Sequence, residues 1–125
     1  MMDISKVARA YDVSTRTIRY YEELGLLHPD RTAGNSRIYS KAELVKLKLI
    51  LRGKRYGFTL EEIKEMILLF DKDRTGIKQL ERTIHFGHEK IGQVEAKIQE
   101  LTEMKREMEQ LLVQFAEKLT NIKGD

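Results

Sequence analysis

Apolar residues recur along this chain in two different rhythms. Over residues 3–70 short apolar runs alternate with turn-forming residues; from Ile77 onward a single unbroken period takes over. Ile4, Val7 and Ala8 share one face of a predicted short helix over residues 3–10, which Asp3 is placed to cap. Tyr11-Asp12-Val13 makes a turn. Ser14 can accept from the unpaired amides of a first helical turn, and so opens a second helix from Thr15 to about Glu23. Gly25 follows where a left-handed C-terminal cap is expected. Two short helices joined by a tight turn make a helix-turn-helix. Pro29-Asp30 and Ala33-Gly34-Asn35-Ser36 are turns, and Arg31-Thr32 can pair with Arg37-Ile38-Tyr39 as a two-stranded wing. An isolated hairpin is marginal, so the wing must lean on the helices.

Ser40 caps a third helix, Lys41 to Arg55, with Leu44, Leu47, Ile50 and Leu51 as its buried stripe. Tyr56-Gly57-Phe58 breaks it. Thr59 with Glu62 three residues on is a capping box, opening a fourth helix to about Phe70 with Leu60, Ile63, Ile67 and Phe70 inward. Asp71–Gly76 is a polar hinge. Beyond it, Ile77, Ile84, Ile91, Ile98, Lys105, Leu112 and Leu119 occupy one heptad position, and Leu80, Gly87, Val94, Leu101, Met108, Phe115 and Ile122 the other. Twelve of these fourteen positions are apolar, which marks a coiled coil. A helix of some 45 residues is about 65 Å long and cannot bury such a stripe on a small domain, so it needs a partner, most simply a second copy.

The two exceptions set the direction. In a parallel pair Lys105 would face Lys105 and Gly87 would face Gly87. In an antiparallel pair whose facing residue numbers add to 192, Gly87 makes room for the partner copy's Lys105, and every other layer is apolar: Ile77 with Phe115, Leu80 with Leu112, Ile84 with Met108, Ile91 with Leu101, Val94 with Ile98. The same register brings Glu95 near its own copy and Lys97 likewise, at a cost of about tenths of a kcal/mol for exposed like charges. A sum of 199 is the rival register. The expected architecture is mostly α: a winged helix-turn-helix of four helices and a two-stranded wing (residues 1–73), a dimerisation helix (74–122) forming an antiparallel coiled coil, and a tail (123–125).

Charge adds a polarity to this layout. The net charge of +3 conceals 12 basic against 6 acidic residues up to Gly57, and 11 basic against 14 acidic residues beyond it. A basic front on a mixed-charge rear suits a polyanion at one end. Within that front, helical spacing puts Arg16, Arg19 and Tyr20 on one side of the second helix, with Ser14, Thr15 and Thr17 at its N-terminus and Ile18 and Tyr21 toward the core. Arginine forks suit guanine edges or phosphates, and hydroxyls at a helix N-terminus suit phosphate oxygens. Arg37 and Tyr39 on the wing, and Lys54 and Arg55 at the end of the third helix, are placed to reach the DNA backbone.

The run Val13-Ser14-Thr15-Arg16-Thr17-Ile18-Arg19-Tyr20-Tyr21-Glu22-Glu23-Leu24-Gly25-Leu26-Leu27 resembles the N-terminal signature of the MerR family. Arg37-Ile38-Tyr39-Ser40 resembles its wing end, and Gly57-Phe58-Thr59-Leu60-Glu61-Glu62-Ile63 the entry to its fourth helix. The resemblance implies a dimeric transcription regulator on pseudo-palindromic promoter DNA, with an antiparallel coiled coil. It also implies distortion of the DNA between promoter elements so that RNA polymerase engages both. The run Leu47–Arg55 looks particularly like the subgroup controlling branched-chain amino acid and fatty-acid catabolism.

The chain holds no cysteine, so thiolate metal sensing and iron–sulfur chemistry are excluded, and no cofactor is expected. His85 and His88 stand three apart, but with only Glu81 and Glu89 near them they read as surface histidines, and no metal site is expected. Six residues follow Leu119, so no appended ligand domain is expected. A small effector would bind between one DNA-binding domain and the far end of the other copy's coil. Phe58, Phe70, Ile77 and Phe115 are the candidates for that cleft, though all four are also good core residues. With no signal peptide and no long apolar run, a bacterial cytoplasmic protein off the membrane is expected. No phosphate loop or nucleophile–base set points to an enzyme. A coiled-coil adaptor that never meets DNA is the other reading, and would need neither the basic helix nor the wing.

Overall fold

The structure, a computed structural model, describes residues 2–124; Met1 and Asp125, the outer ends of the expected modules, lie outside the described residues. The elements are β1 (Met2–Asp3), α1 (Ile4–Ala10), α2 (Thr15–Glu23), β2 (Asp30–Arg31), β3 (Arg37–Tyr39), α3 (Lys41–Arg55), α4 (Leu60–Lys72) and α5 (Ile77–Lys123). The helices start where the sequence places caps. Asp3, Ser14, Ser40 and Thr59 each accept from a backbone N–H three residues on, and Thr59 and Glu62 form the full capping box. Gly25, with φ of 77°, ends α2 in the left-handed region that a Cβ disfavours.

The wing carries one strand more than expected. β1 pairs with β3 on the side away from β2, giving the order β1-β3-β2, with all pairs antiparallel. Asp3 serves both elements, facing Ile38 across the ladder while its carboxylate accepts from Lys6 N at 2.9 Å. A two-residue strand has no period to betray it. β2 also lies one residue earlier than expected, because Thr32 belongs to the turn: its N–H donates to Ser36 O, and its own carbonyl accepts from Asn35 N.

By contacts the chain divides between Ile84 and His85 into two units. In the first, α1 packs on α2 and on the sheet, and α3 packs on α4. Val7, Ile18, Leu27, Ile50 and Ile63 are wholly buried at its centre. Gly53 lets α3 and α4 approach, since a Cβ there would lie 2.8 Å from Ile63 Cγ1. The inner face of α3 departs from the expected leucine stripe. Glu43 and Lys46 are buried beside Leu47 and Ile50, whereas Leu44 and Leu51 are only half-buried. Lys46 Nζ bridges Glu43 at 3.1 Å and Asp71, near the end of α4, at 2.9 Å. Glu43 also accepts from the backbone N–H of His28, in the segment between α2 and the wing. Asp71 in turn holds Arg74 of the hinge at 2.9 Å.

After the hinge, α5 starts behind a local cap. Thr75 donates to Asp73 through both its hydroxyl and its N–H, and these bonds hold the Asp73 carboxyl below its ordinary range. The first turns of α5 are fastened within the first unit: Arg82 pairs with Glu65 at 3.0 Å, and Thr83 lies against Met66. The second unit is the rest of α5. Every described residue from Ile91 to Gly124 is exposed, the heptad seam included. Ile91, Val94, Ile98, Leu101, Met108 and Phe115 each keep more than half their surface open, leaving a continuous apolar stripe along the helix. An added Cβ at Gly87 would meet nothing within 4 Å.

Candidate nucleic-acid interface

The second helix is built to show one polar face. Ile18 and Tyr21 anchor it in the core, at 0% and 6% exposure, which turns Arg16, Arg19 and Tyr20 outward. Ser14 caps the helix, accepting from Thr17 N at 3.0 Å, and its hydroxyl also meets the Thr17 hydroxyl at 2.9 Å. The N-terminus of α2 therefore presents Ser14, Thr15 and Thr17 around its first turn, with the half-charge of the helix dipole behind them. Lys54 and Arg55 are exposed at the end of α3, where the Arg55 guanidinium lies over the Tyr56 ring at 5.5 Å. Tyr56, in the segment that breaks α3, is 63% exposed and adds an aromatic ring to this edge of the site.

The wing departs from expectation at Tyr39. Expected at the DNA backbone, Tyr39 is instead 1% exposed, and its hydroxyl is buried with no hydrogen-bond partner among the described residues. Burial first, and the charge of Glu22 second, push its ionisation above the ordinary phenol range, against the opposing pull of Arg37, Arg31 and Arg19. The cause is strand alternation: on β3, Arg37 and Tyr39 share a face, and that face turns toward α2. Arg37 is accordingly half-buried rather than free, with its Nε donating to Glu22 Oε2 at 2.7 Å. Arg31, not among the expected site residues, reaches the other oxygen of the same carboxylate at 3.6 Å. No spacing rule connects residues 22, 31 and 37, so only folding reveals the cluster.

Of the cleft candidates, Phe70 is a core residue of the first unit with the Arg74 guanidinium 5.1 Å above its ring, and Phe58 is half-buried beside Gly53. Ile77 and Phe115 are exposed. His85 pairs with Glu89 at 3.1 Å along one helix face. Among the described residues no helix is long and apolar enough to cross a membrane.

An exposed arginine helix beside a small sheet, continued by a long helix with an open heptad seam, defines a DNA-binding helix-turn-helix protein. The chain matches the family model described as MerR HTH family regulatory protein over residues 2–68, and that described as MerR, DNA binding, over residues 44–111. It is 32% identical over 114 residues to the HTH-type transcriptional regulator HmrR of Rhizobium leguminosarum bv. viciae, covering 89% of this chain and 84% of that one. Among solved structures it is similar to the regulator PbrR691 of Ralstonia metallidurans CH34 in complex with lead(II), with a TM-score of 0.61, 35% identity, and coverage of 86% and 83%. It is also similar to HiNmlR, a MerR family regulator lacking the sensor domain, bound to promoter DNA, with a TM-score of 0.62, 26% identity, and coverage of 82% and 76%. The chain belongs to the MerR family of DNA-binding transcriptional regulators.

Proposed function

We propose that two copies of this chain pair along α5 and together bind a pseudo-palindromic promoter, each placing α2 in a major-groove half-site. The observation that carries this reading is the outward set Arg16, Arg19 and Tyr20, held by the buried Ile18 and Tyr21, in the same chain as an open heptad seam. Ser14, Thr15, Thr17, Lys54 and Arg55 would hold phosphates beside the groove, and Arg37 would do so from the wing. Tyr39 supports the wing from beneath. Residues 1–73 act as the DNA-binding module and 74–122 as the pairing helix, with tail residues 123–125 beyond. The solved relative bound to promoter DNA supports the ligand class.

Pairing antiparallel with residue sums of 192 fills the open space at Gly87 with Lys105. A dimer fixes two α2 helices at one spacing, so binding can bend and untwist the intervening DNA and control initiation by RNA polymerase, which is engaged through the promoter. The protein works by binding rather than catalysis, in the bacterial cytoplasm. The lead(II) complex of one relative does not carry over as thiolate chemistry, because this chain has no cysteine. An effector, if the regulator uses one, would act where one copy's Phe58, Phe70 and Ile77 meet the other copy's Phe115. A role in branched-chain amino acid or fatty-acid catabolism rests on Leu47–Arg55 alone, and the matched relatives add nothing to it. A coiled-coil adaptor would leave the outward arginines of α2 without a purpose.

Arg19→Ala is the direct test. Loss of a base-edge or clamped phosphate contact should weaken specific binding by about 1–3 kcal/mol, some 5- to 150-fold. Titration of wild type and variant on a promoter fragment by gel shift or anisotropy reads this; equal affinities would remove Arg19 from the interface.

A further inference from the structure

We infer that Glu22 is a positioning residue for DNA reading: its carboxylate ties the recognition helix to both wing arginines and fixes where the guanidinium of Arg37 meets the DNA backbone. This rests on the assignment of α2 and the wing to DNA made above. Glu22 stands on α2, Arg31 on β2 and Arg37 on β3. One carboxylate oxygen accepts from Arg37 Nε at 2.7 Å, and the other lies 3.6 Å from Arg31 Nη2. Arg31 Nη1 donates in turn to Asn35 O at 3.0 Å, which extends the tie to the tip of the wing. The Glu22 and Arg37 side chains are only 22% and 24% exposed, so their bond is shielded from water more than an ordinary surface pair.

The sign of the charge makes the case. A carboxylate on a basic face repels phosphates, so by charge alone its removal strengthens every DNA contact. What it supplies in exchange is geometry. β1 and the buried Tyr39 anchor β3, but β2 is a two-residue edge strand, exposed and paired on one side only, so the arginines of the wing gain from a tie of their own. The hydrogen bond to Glu22 is made by Arg37 Nε, and none from its two Nη groups is found among the described residues. The guanidinium is thereby held at its base while its fork stays open for a phosphate. Non-specific DNA asks only for positive charge, whereas a specific site asks that helix and wing arrive together. Glu22 therefore opposes the first and serves the second.

The test compares the full wild-type chain with Glu22→Gln on two duplexes: a fragment recovered by its binding to wild type from genomic DNA, and a scrambled duplex of equal length and composition. Glu22→Gln should bind the scrambled duplex about two- to fivefold more tightly, having lost one repulsive charge. Its preference for the specific fragment should fall by about tenfold or more, since a wing contact is misplaced. Glu22→Asp keeps the charge but shortens the arm; it should lose preference without gaining scrambled-duplex affinity. Arg37→Gln should lose preference too, and adding Glu22→Gln to it should cost little more, because the two act as one unit. Unchanged preference in both Glu22 variants, or equal gains on both duplexes, overturns the inference, as do fully additive losses. A wild-type chain with no preference overturns the DNA assignment itself, and shows before any substitution is made.

Discussion

Aspartate at both Val94 and Ile98 is expected to leave the protein monomeric and to remove specific promoter binding while the first unit stays folded. In the proposed register these two residues face each other twice about the centre of the pair, so the double variant puts four carboxylates into two adjacent apolar layers. Stranding a charge in such a place costs several kcal/mol unless it is paired. About 4 kcal/mol is already a thousandfold in dimer affinity. The single chain does not feel the change, because Val94 and Ile98 are 57% and 58% exposed in it. Once separated, the two DNA-binding modules lose the effective concentration that one supplies to the other, which is worth about 10²- to 10⁴-fold. Sedimentation reads the mass and a gel shift reads the DNA; a dimeric variant, or a monomer with undiminished specific affinity, would break the link between seam and function. Cysteines at 87 and 105 should bridge two subunits under oxidation, whereas bridging from 87 to 112 would favour the register in which sums reach 199.

Lys46→Ala is expected to destabilise the first unit by about 3–5 kcal/mol. The lysine side chain is 3% exposed and sits between Glu43 and Asp71. Its removal leaves Glu43, 5% exposed, with a buried charge held, among the described residues, by the amide of His28. Asp71 suffers less, since it is one-third exposed and keeps Arg74. Replacing both members, as Lys46→Met with Glu43→Gln, should return most of the loss, because the glutamine carbonyl still accepts from His28 and no charge is stranded. Urea unfolding followed by helicity reads both variants. A Lys46→Ala loss under about 1 kcal/mol would mean that the pair is solvated and that its burial carries no energy.

What could be read from the sequence was what depends on near neighbours. Caps at Asp3, Ser14, Ser40 and Thr59 work over three residues, and the starts of α1, α2, α3 and α4 follow from them. The seam of α5 repeats over seven, and its helix runs through as expected. The outward face of α2 follows from helical spacing around Ile18 and Tyr21. Features that depend on distant residues stayed hidden. β1 exists because Met2–Asp3 meets Ile38–Tyr39. A charged residue on the inner face of α3 looks like an error of pattern until Asp71 arrives from α4. Tyr39 looks like a surface hydroxyl until the strand's alternation turns it inward, and Glu22 looks like an ordinary helix-surface acid until the wing folds over it.

The central claim is that a pair of these chains reads two related DNA half-sites as one. Selection from fragmented DNA of the encoding genome, using the intact chain at about 0.15 M salt where non-specific binding is screened, tests it most directly. The expected result is enrichment of fragments that share two inverted half-sites at a fixed separation, upstream of genes and protected as one continuous footprint. Recovery of fragments with no common sequence, or of single half-sites with no fixed mate, would contradict it.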